Sequence, residues 1–173
     1  MKKILAISGS TKAISTNSLY ISAISRHLGG DFEVTNFPSI ADIQHFNPDL
    51  DQENPPQIIE ELRSAIKMAD GIIISTPEYA MGLPGSLKNL LDWTVSSASF
   101  SGKPVLALVA STQGEKAYQS IIDILTVIEA RISPQLIPFA KAKVNNEGAI
   151  TDKETLAALK STVDSFVASM ENG

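Results

Sequence analysis

The feature that most constrains the fold is the alternation of two hydrophobic periods along the chain. Lys2–Ser8, Gly71–Thr76 and Pro104–Ala110 are short, nearly continuous apolar runs, the pattern of strands covered on both faces. Phe32–Phe37 predicts a weaker strand, and Pro134–Pro138 a short fifth one with a proline at each end. Helical stripes lie between them. Ile21, Ile24 and Leu28 share a face that Gly29-Gly30 closes; Ile59, Leu62, Ile66 and Ala69 follow Pro55-Pro56; Leu87, Leu90 and Leu91 follow Pro84-Gly85. Ile121, Leu125, Ile128 and Ile132 predict a fourth helix, and Leu156, Leu159, Val163, Phe166 and Met170 a last one. Thr112-x-x-Glu115 and Thr151-x-x-Glu154 read as capping boxes for these two. A β-α unit repeated in this way predicts a three-layer α/β architecture, an open parallel sheet with helices on both faces. The expectation is one domain over residues 1–173. The least regular stretch, Pro38–Gln57, is a loop whose length predicts a functional role.

Composition narrows the chemistry. Nineteen acidic side chains against fourteen basic ones give a net charge of −5, which argues against a nucleic-acid partner because phosphate neutralisation needs a basic surplus. No cysteine is present, so thiol catalysis, disulfides, iron–sulfur clusters and Cys-based zinc sites are excluded. With only His27 and His45, a three-histidine metal centre is impossible. No run approaches the apolar length that spans a bilayer. The basic, apolar start at Met1–Ile7 stops at Ser8-Gly9-Ser10, too soon for a signal peptide. A cytoplasmic protein without a membrane partner is the expectation.

In an open parallel sheet, ligands bind beyond the C-terminal ends of the strands. Three loops leave strands there. Ser8–Asn17 offers hydroxyls at Ser8, Ser10, Thr11, Ser15 and Thr16, one cation at Lys12, and free N–H groups at a helix N-terminus. Those are the requirements of a phosphate monoester, although neither a Walker loop nor a G-x-G-x-x-G fingerprint is present; the hydroxyls also suit simple helix capping. Thr76–Gly85 carries two prolines and two glycines that fix the backbone, and presents Tyr79 and Met81. This loop suits a flat heteroaromatic ring, or a rigid turn packed into core or subunit interface. Glu78 has no evident carboxylate or histidine partner and takes a structural or interface role. Ala110–Glu115 again sets small polar groups before a helix.

Together these loops resemble the NADPH-dependent FMN reductase family, flavodoxin-like flavoproteins that include quinone, azo-dye and chromate reductases. The family's G-S-x-R-x-x-S-x-N is similar to Gly9 through Asn17, and P-E-Y-N-x-x-x-P-G-x-L-K-N-x-x-D-W to Pro77 through Trp93. Gly102-Lys103-Pro104 and Ser111 also fit. The resemblance implies a five-stranded sheet in order 2-1-3-4-5 with bound FMN. Ser10, Lys12, Ser15, Thr16 and Asn17 would hold its phosphate. Pro77, Glu78, Tyr79, Ala80 and Met81 would line one side of the isoalloxazine, and Ser111, Thr112, Gln113 and Gly114 the other. It further implies a homodimer or homotetramer with the Glu78–Trp93 region at the interface. Two positions depart from the family: Lys12 stands for its arginine and loses the bidentate fork, and Ala80 stands for the asparagine after P-E-Y.

The chemistry so implied is hydride transfer at the flavin, which needs no protein nucleophile. NADPH or NADH would reduce it, and a quinone, free flavin or similar small electron acceptor would reoxidise it, in a ping-pong sequence. Three rivals stand beside this reading: a flavodoxin-type electron carrier without fast NAD(P)H turnover, a serine hydrolase using Ser8 or Ser10 with a remote His45, and a scaffold that has lost its flavin.

Overall fold

The computed structural model describes residues 1–171. Strands β1 (Lys2–Ser8), β2 (Phe32–Asn36), β3 (Gly71–Thr76), β4 (Pro104–Ala110) and β5 (Arg131–Ile137) pair in parallel, in the order β2-β1-β3-β4-β5. The expected sheet is therefore present. Its helices are α1 (Thr16–Leu28), α2 (Pro48–Glu53), α3 (Gln57–Met68), α4 (Gly85–Asp92), α5 (Glu115–Val127) and α6 (Lys153–Glu171). Every residue of β3 and β4 is buried, and alternate positions feed two separate cores. Ile72, Ile74, Val105, Ala107 and Val109 pack with α3, α4 and α5 through Ile59, Leu62, Ile66, Leu90, Ile121 and Leu125. Ile73, Leu106 and Leu108 face Tyr20 and Ile24 of α1 and Leu159, Val163 and Phe166 of α6. Truncating any of these leucines to alanine costs about 2–5 kcal/mol, so both helical layers are held by apolar burial on the sheet. No helix among the described residues is long and apolar enough to cross a membrane.

The structure corrects four local expectations. β5 begins at Arg131, before Pro134, which pairs with Ala107; the strand is at the sheet's edge, where a missing donor costs nothing on the outer side. Ile132 consequently belongs to β5, because α5 stops at Val127 and Glu129 turns the chain at φ 61°. Thr112 does not cap α5, whose N-cap is Gly114. At the start of α6 it is Asp152, not Thr151, whose carboxylate accepts from the Thr155 N–H at 2.8 Å.

The stretch from 38 to 57 is a packed strap rather than an open loop. It contains α2, and Ile40 and Ile43 are buried in the core. The buried Trp93 donates its indole N–H to the Gln44 carbonyl at 2.8 Å and meets the Phe46 ring edge-on at 5.2 Å. Asn89 Oδ1 accepts from the Phe46 N–H at 2.7 Å, and its amide donates to the Gln44 carbonyl at 3.0 Å. Arg63 of α3 forms an ion pair with Asp51, donates to the Trp93 carbonyl, and reaches the Ser96 hydroxyl at 3.1 Å. Lys103 closes the C-terminus of α3 by donating to the carbonyls of Lys67 and Ala69 at 2.8 and 2.7 Å, where the helix dipole favours a cation.

Asp51 carries a pH signature. Burial alone would raise its pKa, but hydrogen bonds from Ser96 and Arg63 and the guanidinium charge outweigh that and hold it below the ordinary carboxylate value. A depressed folded-state pKa stabilises above the unfolded value near ~4 and is lost as pH falls through the folded one. Asp51→Asn is expected to cost about 2 kcal/mol at neutral pH, the value of a hydrogen bond to a charged group, with the gap to the parent closing in acid. Urea unfolding on both sides of that range checks this; an equal gap at both would remove the ion pair from the account.

Candidate active site

The loop after β1 lies on the end of β3. Gly9 donates its N–H to the Ser75 carbonyl at 2.8 Å, and a Cβ at this position would sit 2.4 Å from Thr76 Oγ1 and 2.9 Å from a Leu87 methyl. Only glycine permits that approach. Ser15 then starts α1 with a reciprocal capping box: its hydroxyl accepts from the Ser18 N–H at 3.0 Å, and the Ser18 hydroxyl accepts from the Ser15 N–H at 3.0 Å. Asn17 is only 2% exposed. Its Oδ1 accepts from the Ser75 hydroxyl at 2.8 Å and its amide donates to the Ala110 carbonyl at 3.3 Å. The side chains of Ser15 and Asn17 are thus engaged within the protein. What α1 leaves open is the backbone. The N–H groups of Thr16 and Asn17 have no acceptor among the described residues, and the first turn carries no acidic residue, so the positive end of the helix is uncompensated.

The neighbouring helix is treated in the opposite way. Glu78 Oε1 accepts from the Gly114 N–H at 3.3 Å, and Oε2 accepts from the N–H groups of Lys116 and Ala117, both at 2.9 Å. A carboxylate from a distant loop therefore fills the N-terminus of α5. The Glu78 N–H donates in turn to the Ser111 hydroxyl at 3.2 Å, which locks the loops after β3 and β4 together. Beyond Glu78 the chain reverses between Tyr79 and Gly82, which exchange backbone bonds of 2.9 and 3.0 Å. The two central residues, Ala80 and Met81, have φ of 48° and 60°, the conformation of a type I′ turn that normally asks for Asn-Gly.

Between these loops lies a cleft of about 590 Å³, within the usual range for small-ligand sites. Ser10, Lys12, Ser15, Thr16, Asn17, Pro77, Glu78, Tyr79, Ser111 and Thr112 line it. Ala80, Met81, Gln113 and Gly114 lie beside it rather than among its lining residues, and Met81 is 70% exposed. A further wall was not anticipated from the loops above. It is formed by residues after β5, among them Phe139, Lys141, Val144 and Asn146, with Ile14 opposite in the first loop. The signal was available: every strand of a parallel sheet delivers its exit loop to the same edge, β5 included. Tyr20 supports that wall by donating its hydroxyl to the Ala140 carbonyl at 3.1 Å. Burial, with a smaller push from Asp152, raises this phenol to about 12, so it remains a neutral donor. No histidine lines the cleft among the described residues, and the Ser8 hydroxyl is turned to the Ser10 carbonyl at 3.4 Å. The hydrolase rival lacks its base.

The pattern of NADPH-dependent FMN reductases matches residues 2–143. The chain belongs to that family. It is 30% identical to the quinone reductase of Escherichia coli K12, over 95% of this chain and 93% of that one. The NADH-dependent flavin reductase subunit 2 of Lactobacillus johnsonii is 31% identical over 98% of this chain and 97% of its own. FerB of Paracoccus denitrificans, a flavoenzyme NAD(P)H:(acceptor) oxidoreductase, superposes with a TM-score of 0.83 at 26% identity, covering 99% of this chain and 98% of that one. As a member of this family the chain is an oxidoreductase whose cofactors are FMN and NAD(P)H.

The donor set fits FMN. An FMN reductase must hold one phosphate dianion and one flat ring, and here one helix N-terminus is open while the next is already neutralised by Glu78. The cleft's free cation nearest the open helix in sequence is Lys12, three residues before the Ser15 cap, and its long side chain is exposed. The asparagine usual in the family at position 80 has a physical rationale in this fold, because asparagine tolerates the left-handed region that alanine enters at a cost of about 1 kcal/mol. Ala80→Asn is therefore expected to raise the melting temperature by about 2–4 °C. Thermal unfolding of both proteins checks it, and an unchanged or lower value would mean that the turn relaxes differently in solution.

Proposed function

We propose that the chain passes two electrons from NAD(P)H to quinones, free flavin or related electron-poor compounds, in two alternating half-reactions at one open cleft. The observation that carries this reading is the unequal treatment of the two helix N-termini: Glu78 occupies that of α5, and the N–H groups of Thr16 and Asn17 at α1 stand free beside Lys12. Bound FMN would supply the redox chemistry, accepting a hydride equivalent and returning both electrons to the acceptor. The protein's part is to bind and orient. Ser10, Lys12 and the Thr16 and Asn17 amides would hold the phosphate, with Ser15 and Asn17 shaping that loop through their side chains. Pro77, Glu78 and Tyr79 would border one side of the ring, with Ala80 and Met81 fixing the turn behind them. Ser111, Thr112, Gln113 and Gly114 would border the other. The N–H groups of Thr112 and Gln113 have no acceptor among the described residues and are suited to the negative charge that develops on the ring's polar edge.

The names of the relatives support the acceptor class: quinones for the Escherichia coli protein and flavin for the Lactobacillus johnsonii subunit. No observation favours the carrier reading over this one. We also infer that the chain is a single FMN-binding domain and that it works in the cytoplasm as a homodimer or homotetramer; Tyr79, Met81 and Val95 supply exposed apolar surface around the P-E-Y to D-W segment.

The test is spectroscopic. Protein incubated with FMN and desalted is expected to retain the flavin, to bleach within seconds on anaerobic NADPH, and to recover its colour on adding a quinone. A retained flavin that NADPH leaves oxidised would defeat the reductase reading. Lys12→Ala is expected to weaken FMN binding about tenfold, the value of one charge-assisted hydrogen bond, measured by fluorescence titration of the apoprotein. Initial rates against both substrates are expected to give parallel double-reciprocal lines.

A further inference from the structure

The wall after β5 has no role in the reading above. Phe139 follows the strand at φ 53° and is 64% exposed, so a bulky apolar side chain stands in solvent on left-handed backbone, which is doubly unfavourable. The backbone around it is nevertheless fixed. The Phe139 and Ala140 N–H groups donate to the carbonyls of Thr112 and Ser111 at 3.1 and 3.0 Å, and the Ala142 N–H returns to the Phe139 carbonyl at 3.0 Å. The backbone that carries the ring is thus tied to the loop assigned to one side of the flavin. Lys141 lines the same cleft, is exposed, and makes no ion pair among the described residues. Lys12 is the only other cation in the lining among the described residues, and its charge is assigned to the phosphate. Glu78, the sole carboxylate there among the described residues, is committed to α5. One aromatic face and one uncompensated cation remain.

We propose that Phe139 and Lys141 select the electron acceptor: its planar ring packs on Phe139, and an anionic substituent such as a carboxylate or sulfonate pairs with Lys141. The inference rests on the reductase reading and deepens it. The overall reaction balances as NAD(P)H, one proton and the quinone giving NAD(P)⁺ and the hydroquinone, so the anionic substituent is bound and not transformed. Lys141 serves the acceptor's anion here, whereas the phosphates of the nicotinamide nucleotide are the competing source of negative charge.

Stopped-flow half-reactions of the FMN-loaded protein separate the two. In Lys141→Gln, reoxidation by naphthoquinone sulfonate is expected to slow about fivefold, the value of one screened ion pair, with neutral naphthoquinone and reduction by NADPH unchanged. In Phe139→Gly, both quinones are expected to lose about fivefold, while the melting temperature rises as the left-handed strain is relieved. A residue that only packs would lower it. Unreactive naphthalene sulfonate provides an equilibrium readout, with a Kd for the oxidised parent about fivefold below that for Lys141→Gln. Equal losses for the two quinones in Lys141→Gln, or no loss for either, would overturn the proposal. So would a loss confined to reduction by NADPH, which would give Lys141 to the nucleotide. Dissociation of an oligomer by Phe139→Gly would make the ring an interface residue and overturn its part. If the parent is not reduced by NADPH, the functional reading fails by itself, and naphthalene sulfonate binding still decides the site.

Discussion

The cleft depends on one buried amide. Asn17 reaches from the first turn of α1 into the sheet, accepting from Ser75 on β3 and donating to the carbonyl of Ala110 at the end of β4. Apolar contacts could hold α1 against the sheet at many rotations. An amide with two directional partners selects one of them. That choice aims the open N–H groups of Thr16 and Asn17 toward the space between the exit loops of β1, β3 and β4. Gly9 acts on the same geometry from the other side by letting the loop rest on Thr76. Removing either Asn17 partner would strand a polar group under a helix, so the buried network is coupled to the shape of the site.

Charge is then distributed around that frame. Both α1 and α5 begin at the sheet edge that borders the cleft, and each N-terminus attracts an anion. Glu78 breaks the equivalence from a loop some 38 residues before Lys116, and it does so with both oxygens. The chain as a whole carries −5, yet Lys12 and Lys141 line the cleft, and Glu78, its one carboxylate among the described residues, is internally paired. An acidic surface around a locally positive site keeps nonspecific anion binding low while leaving the cleft attractive to a phosphate.

The layered fold was legible because strands buried on both faces leave continuous apolar runs and their helices leave stripes, as at β3, β4 and α3. The hydroxyl capping before α1 was legible because capping is local in sequence, whereas the close approach of Gly9 to Thr76 was not. What escaped was non-local. Thr112 has the spacing of a cap, but the donors of α5 go to Glu78, a partner no local pattern reveals. Asn17 reads as a phosphate ligand and is spent on the sheet through its side chain. The strap from 38 to 57 reads as an open loop until Asn89, Trp93 and Arg63 are seen to hold it, which also gives the L-K-N-x-x-D-W segment an internal purpose. Phe139 gives no signal in a window, because its place in the wall follows from β5 delivering its exit loop to the same edge as the other strands, a property of the sheet and not of the local sequence.

Strain locates the site independently of charge. Among the described residues, five that are not glycine adopt positive φ: Ala80, Met81, Ala98, Glu129 and Phe139. Ala98 and Glu129 lie in turns at the opposite end of the sheet, where the Glu129 carbonyl accepts from the Gly102 N–H just before β4. The other three follow strands that deliver their loops to the cleft, and each is stabilised by bonds on both flanks. At about 1–2 kcal/mol apiece, these conformations persist only because the surrounding backbone over-determines them. Ala80 and Met81 carry the turn that ends the loop on one side, and Phe139 the turn that begins the wall on the other. Backbone strain therefore brackets the volume between the open helix and the two lysines, where a flat, electron-poor ring and its cofactor would have to meet.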